Sequence, residues 1–128
     1  AAGDCMVLFP EGTSSLGDVV LPFRSALLGA ARAAIDAGGH AEVRVQPLTV
    51  AYTRIGGMPI GRAERPRVGW TGDMDLAPHL WGVFTAGGID VDVVWGIARP
   101  FGADTDRKAL AAELEDAVRD GLRARLRP

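Results

Sequence analysis

The sequence predicts an α/β domain in the order β-α-β-β-α-β-α. Three observations carry this: short runs rich in apolar and β-branched residues, apolar residues at helical spacing between them, and Gly or Pro at most junctions. Such alternation favours a mostly buried sheet with helices packed on it.

Each element has its own signal. Cys5 to Phe9 is an apolar run and reads as a first, buried strand, in which Cys5 is a small hydrophobe and not a nucleophile. A polar turn, Phe9 to Ser15, follows it. Pro22-Phe23-Arg24-Ser25 then leads into Ala26 to Ala37, a helix stopped by Gly38-Gly39. Val43 to Thr53 is β-branched and partly alternating, so it reads as a strand in which Pro47 marks a bulge or an edge. Gly56 to Pro66 reads as a loop, and residues 66–74 (PRVGWTGDM) as a short strand. Asp75 to Ala86 has helical character, with Asp75 as its cap and Leu76, Leu80, Val83 and Phe84 on one face. Ile89 to Ile97 alternates through Val91, Val93 and Trp95 as another strand, and a loop through Pro100 and Gly102 follows. From Asp104 the chain turns helical, with Leu110, Leu114, Val118, Leu122 and Leu126 as an apolar stripe opposite Arg119, Arg123, Arg125 and Arg127.

Composition bounds the possibilities. The chain has 128 residues, enough for one domain with a real core; 48% are hydrophobic, 23% are charged, and the net charge is -2. This balance excludes a disordered chain and gives no reason to expect a nucleic-acid partner. Cys5 is the only cysteine, so no disulfide forms within the chain. No apolar run reaches the roughly 20 residues of a membrane span.

The turn FPEGTSS, Phe9 to Ser15, has the densest chemistry. Pro10 fixes φ, Gly12 admits close approach of backbone to a ligand, and the hydroxyls of Thr13, Ser14 and Ser15 can donate to anionic or carbonyl oxygens. Glu11 is its single charge. Two other motifs fail here: a phosphate-binding loop needs a Gly-Lys pair and the only lysine is Lys108, while Gly12 and Gly17 are spaced too widely for a nucleophile elbow.

The same turn resembles the third block of the glycerolipid acyltransferase family, Phe-Pro-Glu-Gly-Thr-Arg-Ser, at six of its seven positions. Pro22-Phe23-Arg24 is similar to the Pro-Phe-Lys that follows in that family, and Val45-Gln46-Pro47-Leu48-Thr49-Val50 resembles its fourth block. The resemblance implies half of a glycerolipid acyltransferase-type sheet, with residues 1–128 forming one partial domain. It also implies transfer of a fatty acyl group from acyl carrier protein or coenzyme A to a lysolipid hydroxyl, without metal or cofactor, in membrane lipid synthesis. Glu11, Gly12, Thr13, Ser14, Ser15 and Arg24 are then the expected acceptor-binding residues, Glu11 hydrogen-bonding the acceptor or locking the turn. The expected setting is the cytoplasmic face of a bacterial inner membrane, with peripheral attachment or an anchor upstream.

Two departures refine the resemblance. Ser14 stands where the family has an arginine that holds a phosphate, and serine brings no charge. FPEGTSS together with GDMDLAPHLWGVF, residues 72–84, is most similar to the branch that acylates lyso-ornithine lipid, whose headgroup carries an amine and a carboxylate; loss of one arginine suits it. The family's His-x4-Asp signature, a general base and its orienting carboxylate, is the second. His40 is followed at that offset by Val45 and His79 by Phe84, so the signature is expected upstream and the segment alone is expected to be inactive.

Other candidates have plainer readings. Asp73, Asp75 and His79 lack ion-specific spacing and read as a cap and a turn before a metal cluster. Arg54, Arg62, Arg65 and Arg67 fit a solvated loop or anionic lipid heads. Trp70, Trp81 and Trp95 read as core residues, with a membrane interface as the alternative. A non-catalytic lipid-binding or assembly module of the same fold is the competing function, and an unrelated α/β binding domain a third.

Overall fold

The computed structural model describes residues 5–39, 41–72 and 74–126. Its elements are α1 (Gly29–Gly38), β1 (Glu42–Val45), β2 (Leu48–Ile55), β3 (Met58–Pro59), a 3-10 helix (Arg62–Arg67), α2 (Leu76–Thr85), β4 (Ile89–Trp95), β5 (Arg99–Gly102) and α3 (Arg107–Leu126). Helices and strands are mixed as the α/β reading requires, and every strand pair is antiparallel.

The strands form one long ribbon broken in the middle. β1 pairs with β5, Val45 facing Arg99, and β2 pairs with β4, Leu48 facing Trp95, with β3 on the other side of β2. Pro47 causes the break, because it has no N–H for the ladder. Opposite it, Gly96 approaches so closely that a Cβ would lie 2.6 Å from Pro47 Cγ, while its N–H donates to the Pro47 carbonyl at 2.9 Å. The expected strand Val43 to Thr53 is therefore two strands in two sheets. Its register slip lies not at Pro47 but between Tyr52 and Arg54.

The core lies between α1, the β1–β5 arm and the first half of α3. Leu28, Ile35, Phe101, Leu110, Ala111 and Leu114 are buried there, with Phe23, Val43 and Val45 packed against them. The α3 stripe holds as expected: Leu110, Leu114 and Leu122 are buried. Further along, α3 lies directly on β2, where a Cβ on Gly121 would sit 2.6 Å from Thr49 Oγ1. The Arg-rich side of α3 is solvated and partly paired, Arg125 with Asp92 at 3.8 Å; Arg127 lies outside the described residues. α1 ends at Gly39, whose φ of 65° is left-handed, as the Gly-Gly stop predicts, but α-helical geometry starts at Gly29, not Ala26.

Several expectations are corrected. Residues 5–9 form no strand and are exposed, Cys5 included, because an apolar run states a tendency to be buried without supplying a neighbour. Of the expected strand over residues 66–74, the described residues 66–72 and 74 form no strand either; the 3-10 helix takes the first of them. The loop through Pro100 and Gly102 is instead β5, where Pro100 is tolerated on a two-stranded edge. Trp70, Trp81 and Trp95 are exposed, so none is a core residue. The sheet is not mostly buried, since α3 covers only the face carrying Thr49 and Ala51. The opposite face, with Val50, Val91, Val93 and Trp95, is exposed.

Candidate functional site

The turn Phe9 to Ser15 is closed by hydrogen bonds. The Gly12 N–H donates to the Phe9 carbonyl at 3.2 Å across Pro10 and Glu11, a β-turn with proline in its preferred place. The Arg24 N–H donates to the Pro10 carbonyl at 2.8 Å, and Glu11 Oε2 accepts from the Leu21 N–H at 2.7 Å. Glu11 therefore locks the turn onto the segment that follows. Gly12 has φ 68°, and a Cβ there would lie 3.3 Å from Arg24 Cδ and Nε. Glycine suits the left-handed backbone, and its bare Cα leaves room for the guanidinium arm laid against it.

The three hydroxyls divide. Ser15 Oγ accepts from the Gly17 N–H at 3.2 Å and donates to the Val19 carbonyl at 3.4 Å, so it shapes the loop. Thr13 and Ser14 are exposed, beside Gly12 and the exposed Arg24. The outer surface of the turn thus offers an exposed guanidinium and two hydroxyls, a donor-rich patch suited to a carboxylate or other anionic oxygen. The Gly12 N–H is already used within the turn and does not face outward.

The turn is seated on the fold through residues that local pattern does not single out. Arg65 is buried, 7% exposed, and its Nη1 donates to the Tyr52 carbonyl at 3.2 Å and to the Gly17 carbonyl at 3.5 Å. Beside it, the Gly69 backbone abuts Leu16, where a Cβ would fall 2.8 Å from Leu16 Cα. On the other side, Glu115 of α3 accepts from the Phe23 N–H at 2.9 Å and pairs with Arg119. The Phe23 N–H first, and the Arg119 guanidinium after it, hold the Glu115 carboxyl below the ordinary glutamate value.

Glu11, Gly12 and Arg24, all expected to bind the acceptor, lie together, with Thr13 and Ser14 at their outer surface and Ser15 turned to structure. Arg65 departs from its expected role, since the four arginines near this loop look alike in sequence and its partners are 13 and 48 residues away. Asp73 and His40 lie outside the described residues. Among the described residues, no three His, Cys, Asp or Glu side chains come together as a metal site, and no helix is long and apolar enough to cross a membrane. Asp75 precedes α2 as expected, but its side chain makes no capping hydrogen bond.

Comparison with known proteins gives the turn a context. A protein from Brucella abortus named lyso-ornithine lipid O-acyltransferase is 55% identical over 98% of the chain. The chain is homologous to the lyso-ornithine lipid O-acyltransferases. Proteins of the same name from Rhizobium meliloti and Rhodobacter capsulatus are 42% and 38% identical over 99% and 98% of the chain. The chain spans about half the length of these relatives, 47% of the Brucella protein and 44% and 43% of the other two. No protein-family model matches the chain. No solved structure matches it either.

Proposed function

We propose that this chain supplies the acceptor-recognition part of an O-acyltransferase that moves a fatty acyl group from an acyl thioester to the free hydroxyl of lyso-ornithine lipid. The observation that carries the reading is the Arg24 guanidinium laid over Gly12 beside Thr13 and Ser14. It places a cation next to the turn at the point where Ser14 brings none. A headgroup carboxylate fits that cation through charge-assisted hydrogen bonds. The Glu11 carboxylate keeps a second oxygen, Oε1, whose chemistry suits the headgroup amine, while Oε2 locks the turn. The similarity to proteins named for this reaction supports the same acceptor.

The chemistry needs a base on the acceptor hydroxyl. In this reading a histidine of a His-x4-Asp signature, outside these 128 residues, takes the proton. The oxygen attacks the thioester carbonyl, the carbon–sulfur bond breaks, and the thiol of acyl carrier protein or coenzyme A leaves with a proton. No metal or cofactor enters the scheme. The reaction belongs at the cytoplasmic face of a bacterial inner membrane, where a lysolipid and a soluble thioester meet. Residues 1–128 act in it as one partial domain.

The test offers the protein expressed from its complete reading frame both lyso-ornithine lipid and lysophosphatidate in detergent micelles. Lyso-ornithine lipid is expected to be preferred, and a clear preference for the phosphate acceptor would sink the assignment. Arg24→Ala is expected to raise KM for the lysolipid by roughly tenfold or more, the scale of one lost charged hydrogen bond, with kcat little changed.

A further inference from the structure

α2 has an unusual surface. Its ten residues, LAPHLWGVFT, include no Asp, Glu, Lys or Arg, and none of them is buried. Half-buried His79 and Val83 face the body of the protein, while Leu76, Leu80 and Phe84, spaced by four, form an exposed stripe with Trp81 at its side. Trp81 is 71% and Phe84 73% exposed. Exposed leucine, tryptophan and phenylalanine match the apolar half of a helix that lies in a lipid interface; the basic half, which such a helix ordinarily carries itself, would here have to come from neighbouring elements.

The surroundings favour a lipid surface over a protein partner. α2 packs beside the 3-10 helix, which exposes Arg62 and Arg67, and Arg54 is exposed on β2. None of these arginines makes an ion pair among the described residues. Three carboxylates oppose them: Asp90, directly across from Arg54 in the β2–β4 register, Glu64, which is turned back onto the Gly61 N–H at 2.7 Å, and Asp75 before α2. Through Arg65 and Gly69, the same 3-10 segment also seats the acceptor turn. A surface held against α2 therefore lies beside the segment that seats the turn.

We propose that the stripe Leu76, Leu80, Trp81 and Phe84 docks in the interface of an anionic lipid bilayer, with Arg62 and Arg67 against its headgroups. The proposal deepens the lipid-acceptor reading by naming the surface that brings the turn to its substrate, and in that sense rests on it.

The test is deuterium uptake over residues 76–85 in the protein from its complete reading frame. It is measured alone, with phosphatidylcholine vesicles, and with vesicles of phosphatidylcholine mixed with phosphatidylglycerol. Uptake is expected to be fast alone and slowest on the mixed vesicles at low salt. W81S/F84S, which removes only exposed side chains, should abolish that protection. R62Q/R67Q should weaken this α2 protection by roughly thirtyfold in lipid concentration. Protection already complete without lipid, as another segment or a second copy covering α2 would give, overturns the proposal; so does uptake unchanged by vesicles. Acyl transfer in detergent micelles separates the two readings. W81S/F84S should leave it intact there and lower it only when the lysolipid is presented in anionic vesicles, whereas failure to transfer in micelles with docking intact refutes the acyl-transfer reading alone.

Discussion

The two arms of the broken ribbon differ in what covers them. The β1–β5 arm belongs to a closed core, with α1 and α3 against it and Phe101 only 1% exposed. The β2–β4 arm is covered on one face, where Thr49 and Ala51 meet α3, and bare on the other, where Val93 is 52% and Trp95 64% exposed. Strand residues of similar chemistry thus contribute to stability in one arm and display apolar surface in the other. Composition alone does not say which: a valine contributes only if something stands opposite it.

The sharpest way to break this comparison is Phe101→Ala, which should cost about 3–5 kcal/mol in urea unfolding because it empties a closed core. A loss of only a few tenths would mean that the core is elsewhere. Gly121→Ala comes next. Helix propensity favours it by up to about 1 kcal/mol, but its Cβ collides with Thr49 Oγ1, and overpacking costs about 1–3 kcal/mol. The net should be destabilising, and the double variant with Thr49→Ala should recover most of it, a coupling that a double-mutant cycle measures.

Glu115→Gln probes the tie between α3 and the segment that follows the turn, at about 1 kcal/mol near neutral pH. Its folded pKa is depressed, so the carboxylate's contribution is full above the ordinary glutamate range and is lost as pH falls through the depressed folded value. Stability curves of the variant and the parent should therefore converge in acid. Curves that stay parallel would remove the charge from the explanation. The smallest effect belongs to the bare face: Val93→Thr should change stability by at most about 0.5 kcal/mol. A larger loss would show that this face is covered after all.

Legibility in the sequence follows the range of the forces. The α3 stripe, the Gly39 stop and the turn at Phe9 to Gly12 rest on residues a few positions apart, and all were readable. Cys5 to Phe9, residues 66–74 and β5 turn on whether a distant strand lies alongside, which periodicity does not encode. β5 forms despite Pro100 because β1 is there to receive it. For the candidate site, the grouping of Glu11, Gly12 and Arg24 could be found from the turn and the block after it. Arg65 could not, because its neighbours Arg62 and Arg67 have the same local setting and opposite fates.

Arg65 also joins two closures of unequal length. Its contact with Tyr52 closes a separation of 13 residues and its contact with Gly17 one of 48. The longer closure costs about 1 kcal/mol more in chain entropy. The Tyr52 side of the clamp is therefore the cheaper one to close, and the strip carrying Leu16 and Gly17 is the more costly one to hold. One guanidinium thus couples the strip behind the turn to the β2–β3 hairpin, so a local opening that frees Arg65 loosens both together.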